Sequence, residues 1–343
     1  MMDKSRITLC MALLALFAFN PLSGFFKEPS IPNDYSTKET GSGRTILSTE
    51  DSFMDSFWLF SPAGWMMNLG LHIILFLIVM VKIFVYGEVR VDVKSKAMQR
   101  FWIHRRQADL EMKSGGNVEE IKKHLHFAAA SLGRPVPVKS RLELFASAVW
   151  QLTHQLLYRL GVTRWFINRA GGFALDLDDR KHIRMVRQEC AKVYHQLHEV
   201  HLCEESTACE KKDTSQKPDH LLGLVLALTA VNLAESSRES MNDSLSETHT
   251  ANFLCHVYAM FALRMRHSLW RYSLLSRFFM YKARCSQVKS APIDPNLGWV
   301  LSNIGKEFVF KNSWKFGQST SELSYVSLNC LGYYLFSTII QHF

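Results

Sequence analysis

Residues Trp65–Tyr86 read WMMNLGLHIILFLIVMVKIFVY, an apolar run broken only by His72 and Lys82. A helix of about 20 apolar residues matches the hydrocarbon thickness of a bilayer. Lys82 stands one turn from the end of the run, where its ammonium can snorkel to the interface. Trp65 and Tyr86 bracket the run as interfacial anchors. A second, uncharged run lies upstream at Ile7–Phe26, ITLCMALLALFAFNPLSGFF. The two runs predict transmembrane helices over 7–26 and 65–86. The first also fits a signal peptide, with Lys4 and Arg6 as its charged region and Met11–Phe19 as its apolar core. No good small-x-small cleavage site follows: Ala18-Phe19-Asn20 ends in Asn, and Leu22-Ser23-Gly24 is only a fair site. The retained anchor is the favoured reading.

Charge orients the pair. Residues 27–64 carry Lys27, Lys38 and Arg44 against Glu28, Asp34, Glu39, Glu50, Asp51 and Asp55, a net −3. Residues 1–26 carry +1, which leaves +11 on 65–343. Arg90, Lys94, Lys96, Arg100, Arg105 and Arg106 follow the second run directly. Basic flanks stay in the cytosol. The expected topology is a membrane hairpin: a cytosolic stub over 1–6, a luminal loop over 27–64, and a cytosolic chain from 87 onward. The basic cluster also suits anionic lipid. It forms no continuous basic region of the kind that grips nucleic acid.

The luminal loop is rich in Ser, Thr, Gly, Pro and Asp and has no alternating apolar pattern, so it should be extended and open to proteases. Gly41-Ser42-Gly43-Arg44-Thr45-Ile46-Leu47-Ser48 lies within it; a plain flexible linker is the favoured reading of that stretch by itself. In the first span, Asn20-Pro21 removes one helical N–H and sets the proline ring against the carbonyl of Phe17. The helix before this pair should unravel more readily than a plain Leu/Ala span. The pair also suits the luminal end of a helix.

From about Gln99 the periodicity becomes helical and stays so, and the fold class is all-α. Trp102, Arg106, Leu110 and Lys113 fall on a first helix that Ser114-Gly115-Gly116-Asn117 ends. Val118, Ile121, Leu125, Ala128, Ala129 and Leu132 recur at three and four on a second, which Gly133-Arg134-Pro135 closes. The pair looks like one tetratricopeptide-type hairpin, with no 34-residue repeat after it. Further helices are expected over Leu142–Leu160, Asp179–Leu202, Asp219–Ser236 and Phe253–Lys282, with polar linkers at 203–218 and 237–250. Hydrophobic residues make up 48% of the 343, which excludes a disordered chain. Only 17 Gly and 9 Pro argue against an all-β domain. Seven Cys without a CxxC pair argue against a disulfide framework or tandem zinc module.

Candidate chemistry is sparse. His195, His198 and His201 stand three apart beside Cys203 and Cys209. At that spacing they drift around a helix, and a partly buried helix is favoured over a zinc site. Cys190, Cys255 and Cys285 read as core residues on apolar helical faces. No HExxH, GxSxG, P-loop or GxGxxG occurs. The chain therefore reads as a non-enzyme with no cofactor.

Taken in order, these features resemble the membrane and C-terminal regulatory part of the sterol regulatory element-binding proteins. The blocks that carry the resemblance are Asp3-Lys4-Ser5-Arg6-Ile7-Thr8-Leu9-Cys10, Asn20-Pro21-Leu22, the Arg44-x-x-Leu47 motif and Tyr86-Gly87-Glu88. They continue through Phe101-Trp102-Ile103-His104-Arg105-Arg106-Gln107-Ala108-Asp109-Leu110, Leu132-Gly133-Arg134-Pro135, Tyr194-His195-Gln196-Leu197-His198 and Ala230-Val231-Asn232-Leu233-Ala234-Glu235. The resemblance spans roughly 2–328, and its strength lies in collinearity. It implies a precursor of lipid and cholesterol metabolism in the endoplasmic reticulum that moves to the Golgi with Scap, the sterol-sensing escort protein. Site-1 protease would cut Leu47–Ser48, recognised through Arg44. Site-2 protease would cut Leu9–Cys10, with Asp3, Lys4, Ser5, Arg6, Asn20 and Pro21 as recognition elements. The family's DNA-binding half is absent here, so this segment is expected to bind no nucleic acid directly. Lys4 stands where the family has Arg. The regulatory domain over 87–328 is expected to be incomplete, and the apolar tail 329–343 does not look like the family. Two other readings are a membrane-anchored helical adaptor without proteolysis and a zinc enzyme using the 195–209 cluster.

Overall fold

The computed structural model describes residues 3–19, 62–87, 91, 95–136, 140–173, 175–210, 219–238, 244–268, 273–287, 298 and 300–311. Asn20, Pro21, Arg44, Leu47, Ser48, most of the loop and the tail 329–343 lie outside the described residues. Every regular element described is an α-helix. The helices are α1 Asp3–Phe19, α2 Pro62–Phe84, α3 Lys96–Ser114, α4 Val118–Ser131, α5 Arg141–Arg159 and α6 Val162–Ile167. They continue as α7 Leu177–Glu210, α8 His220–Ser237, α9 Ser244–Ser268, α10 Ser273–Gln287 and α11 Asn303–Lys311.

The first helix pair forms as its pattern predicts. Ser95 caps α3 by accepting from the Met98 N–H, and Gly115 ends it in the left-handed region at φ 69°, where a side chain would be strained. Asn117 then caps α4 by accepting from the Glu119 N–H. Ile121, Leu125, Ala128, Ala129 and Leu132 are all buried. On α3 the inward face is Met98, Phe101 and Ala108, whereas Trp102, Arg106 and Leu110 point outward. Small alanines on α4 let it lie close to α3 on one side and α7 on the other.

Helices α7, α8, α9 and α10 pack in sequence order, and α5 closes on α8. Their shared core includes Cys190, Leu197, Val231, Leu254, Tyr258, Phe261 and Phe279. Helix α8 is the centre: Gly223 and the whole run Val225–Ser236 are buried. It is the one described helix long and apolar enough to cross a membrane, yet 72% of that window is covered by protein. Buried Asn232, Glu235 and Ser236 on it make side-chain hydrogen bonds inside the protein, as polar groups on a core helix require. Among the described residues, the apolar part of α2, Leu69–Phe84, is a shorter apolar helix.

Three expectations change. The single helix over Phe253–Lys282 is two helices, α9 and α10, folded back on each other. Phe261 and Phe279 would lie about 27 Å apart along one straight helix; their ring centroids are 4.6 Å apart. Ser276 Oγ donates to the Ala262 carbonyl at 2.7 Å across the same crossing. Helix α7 continues to Glu210 and α9 begins at Ser244, which shortens the linkers placed at 203–218 and 237–250. Cys190 and Cys255 are buried, but Cys285 is exposed, because α10 turns its Phe279–Met280–Ala283 face inward.

Candidate functional site

The amino-terminal end of α1 meets the carboxyl-terminal end of α2, an antiparallel approach. Arg6 Nη2 donates to the Gly87 carbonyl at 3.4 Å. Its guanidinium carbon also lies 5.5 Å from the ring centroid of Trp150 on α5, within cation–π reach. Gly87 is required by contact: a Cβ there would stand 2.2 Å from the Ile83 carbonyl oxygen. Under Arg6, Met80, Ile83, Phe84, Val85, Trp150 and Phe166 form a buried cluster on which Ile7, Leu9 and Cys10 pack. Phe84 packs tilted against Trp150 at 5.8 Å and against His154 at 5.4 Å. The Gly171 N–H donates to the Val85 carbonyl at 2.8 Å, which joins the segment after α6 to the end of α2.

Leu9 and Cys10 therefore sit inside a continuous helix, half-buried against α2 and α5. Their peptide bond is shielded by its own helical turn and by tertiary packing. Ser5 is exposed and Arg6 half-buried on the same helix, and Asp3 and Lys4 occupy its first turn. The sequence-predicted residues 3–10 thus fall on one short stretch. Sequence reasoning did not single out Trp150, Phe84 or His154 as their partners; Gly87 was visible only as part of Tyr86-Gly87-Glu88.

A polar seam locks α5 to α8. Glu235 accepts from Arg159 Nη2 at 2.6 Å, Gln155 Nε2 at 3.2 Å and the Tyr258 hydroxyl at 2.5 Å. Asn232 Nδ2 donates to the Gln151 carbonyl at 2.9 Å, and Arg187 donates to the Ser236 carbonyl at 3.2 Å. Burial and the Glu235 charge push the Tyr258 hydroxyl pKa up, so it stays a donor. This seam explains why Asn232 and Glu235 occur in an otherwise apolar helix. A second buried pair, Arg264 with Glu205, joins α9 to α7. Gly223 leaves room for it, since a Cβ there would come within 2.1 Å of Arg264 Nη2.

Among the described residues, Cys203 is not in the group of donor atoms that converges with a histidine of α7. His195 Nε2 lies 2.7 Å from His256 Nδ1 on α9 and 3.4 Å from Glu199 Oε1. His201 Nδ1 instead faces Glu205 at 3.6 Å, and Cys203 is half-buried. His195, His198, His201 and His256 are each no more than 8% exposed. Burial lowers His195 to about 4 and holds His198 and His256 well below the usual imidazole range. It raises the Glu199 carboxyl to about 7. Among the described residues, His195, Glu199 and His256 are the group whose donor atoms converge, all within 4.8 Å of one another.

No protein-family model matches the chain, and no solved structure matches it.

Proposed function

We propose that this chain is a membrane-anchored regulatory segment of the sterol regulatory element-binding protein type. In this reading α1 and α2 are the two arms of a bilayer hairpin, and the helical body from α3 onward lies on its cytosolic side, with α5 and α6 dipping into that leaflet, and engages Scap. Two cuts follow when sterols fall, at Leu47–Ser48 in the luminal loop and at Leu9–Cys10 in the first span. The observation that carries the reading is the contact of Arg6 with Gly87. An antiparallel pair with basic ends on one side is what a hairpin with both termini in the cytosol requires. Ile73, Ile74, Leu77 and Ile78 of α2 and Met11 of α1 are exposed apolar residues that suit lipid.

The packing adds a mechanical element. Phe76 and Val79 of α2 pack on the cluster that holds Trp150 and Phe166. Phe76 is about 16 Å from Gly87 along the helix axis. Helices α5 and α6 would then lie at the depth of the cytosolic leaflet. Leu142, Phe145, Val149, Leu152 and Leu156, at helical spacing on α5, and Leu160 at its cap are each at least 38% exposed and would face acyl chains. Release of α1 from α2 and α5 precedes hydrolysis at Leu9–Cys10, because the bond is packed as well as helical. The first cut serves that purpose by separating the arms.

The test is sterol-dependent cleavage of the chain in cells. Sterol depletion should yield a product ending at Leu47 and then one ending at Leu9. Arg44→Ala should abolish both. Replacing Asn20 and Pro21 with Leu should spare the first cut and block the second. An intact chain in depleted cells, or unchanged cleavage in Arg44→Ala, would refute the reading and leave a helical membrane adaptor.

A further inference from the structure

His256 Nε2 and both ring nitrogens of His198 are buried with no hydrogen-bond partner. Both residues lie in the helical core, and Phe253 packs edge-on against the neighbouring His195. Leaving such groups unpaired costs on the order of 1–3 kcal/mol each. Beside them a ring nitrogen of His195 and one of His256 share a hydrogen bond, and a Glu199 carboxylate oxygen converges on them from the same helix as His195.

We propose that His195, Glu199 and His256 bind one zinc-class divalent cation, which clamps α7 to α9. His195 and Glu199 are four residues apart on α7, so both side chains leave the same face. His256 reaches them from α9. A tetrahedral zinc with bonds of 2.0–2.1 Å holds its donor atoms about 3.3 Å apart. The His195–Glu199 separation of 3.4 Å already meets that spacing. The His195–His256 contact, at 2.7 Å, opens by about 0.6 Å to admit the ion. Two imidazoles and one carboxylate suit zinc rather than calcium or magnesium, which take oxygen ligands. The nearby Arg264 charge is neutralised by Glu205 and does not stand unopposed against a cation. Three protein ligands leave one position open for water. Glu199, at 27% side-chain exposure, marks the side on which it enters.

The site differs from a cluster of His198, His201, Cys203 and Cys209, and variants separate the two. The full chain, purified in detergent and stripped with chelator, is titrated with Co²⁺ and then Zn²⁺. One equivalent of Co²⁺ should bind with visible d–d absorption that zinc bleaches, and zinc should raise the thermal midpoint. Glu199→Gln lies at the edge of the core and keeps the fold by circular dichroism. It should weaken binding by at least about 100-fold, the upper end of what loss of an outer-shell partner costs. His256→Ala should do the same, and Cys203→Ser should change nothing. Absence of stoichiometric binding, retention in folded Glu199→Gln, or loss in Cys203→Ser would overturn the proposal.

Discussion

Trp150→Ala tests whether the membrane arms and the helical body form one folded unit. The indole is 2% exposed, packs tilted against Phe84 of α2 and lies beneath Arg6 of α1. Truncating a buried Trp costs about 3–5 kcal/mol. Loss of the cation–π contact adds about 0.5–2 kcal/mol. Trp150 is also the side chain through which α5 holds both arms, so most of the loss should fall on their attachment. A loss of 4 kcal/mol at 1.4 kcal/mol per decade raises the local opening of α1 by nearly 10³-fold. Hydrogen–deuterium exchange of the full chain in nanodiscs reads this directly. Amides of Thr8–Met11 should exchange about 100- to 1,000-fold faster. The α9–α10 hairpin around Phe261 and Phe279 should change less than about 10-fold, because Phe279 meets α5 at Arg159, about 14 Å along that helix from Trp150. Equal acceleration everywhere would show that Trp150 stabilises only the global fold. No change over residues 8–11 would show that α1 does not depend on α5, and would refute the reasoning.

Gly87→Ala should displace the end of α2, because the new Cβ meets backbone rather than a flexible side chain. A loss of about 1–3 kcal/mol is expected in chemical denaturation, with faster exchange at α1. Glu235→Ala leaves Arg159 and Tyr258 unpaired in the seam and should cost about 3–5 kcal/mol; the full chain's thermal midpoint should fall, and less so in Glu235→Gln. Leu152→Glu with Leu156→Glu should reduce quenching of the protein by lipids brominated in the outer acyl region. The circular dichroism should not change, since both side chains are exposed in the fold; unchanged quenching would place α5 outside the leaflet.

What the sequence made legible follows from where each signal resides. Helix α4 was readable because Ile121, Leu125, Ala128 and Ala129 face one core and Gly115 and Gly133 bracket it. On α3 the same reasoning marked Trp102, Arg106 and Leu110, which form the outer face; Phe101 and Ala108 do the packing. The break between α9 and α10 was missed because apolar residues fill both sides of it, and only the tertiary contact of Phe261 with Phe279 reveals the reversal. Cys285 was assigned to the core for the same reason. The donor set at His195 was half legible. The i, i+4 spacing of His195 and Glu199 was present in the sequence but obscured by the more conspicuous three-residue histidine spacing. His256, 61 positions away, could be found only in the fold. Trp150 is likewise a partner of Arg6 by tertiary contact alone.

The central claim, a hairpin of α1 and α2 with the helical body on one side of the membrane, is tested most directly by glycosylation mapping in microsomes. Acceptor sequons are placed in the loop between 27 and 61 and, in separate chains, at the carboxyl terminus. The account predicts glycan on the loop sequon and none on the terminal one, with α8 buried in protein rather than in lipid. Glycan on the carboxyl-terminal sequon, or an unmodified loop, would contradict it.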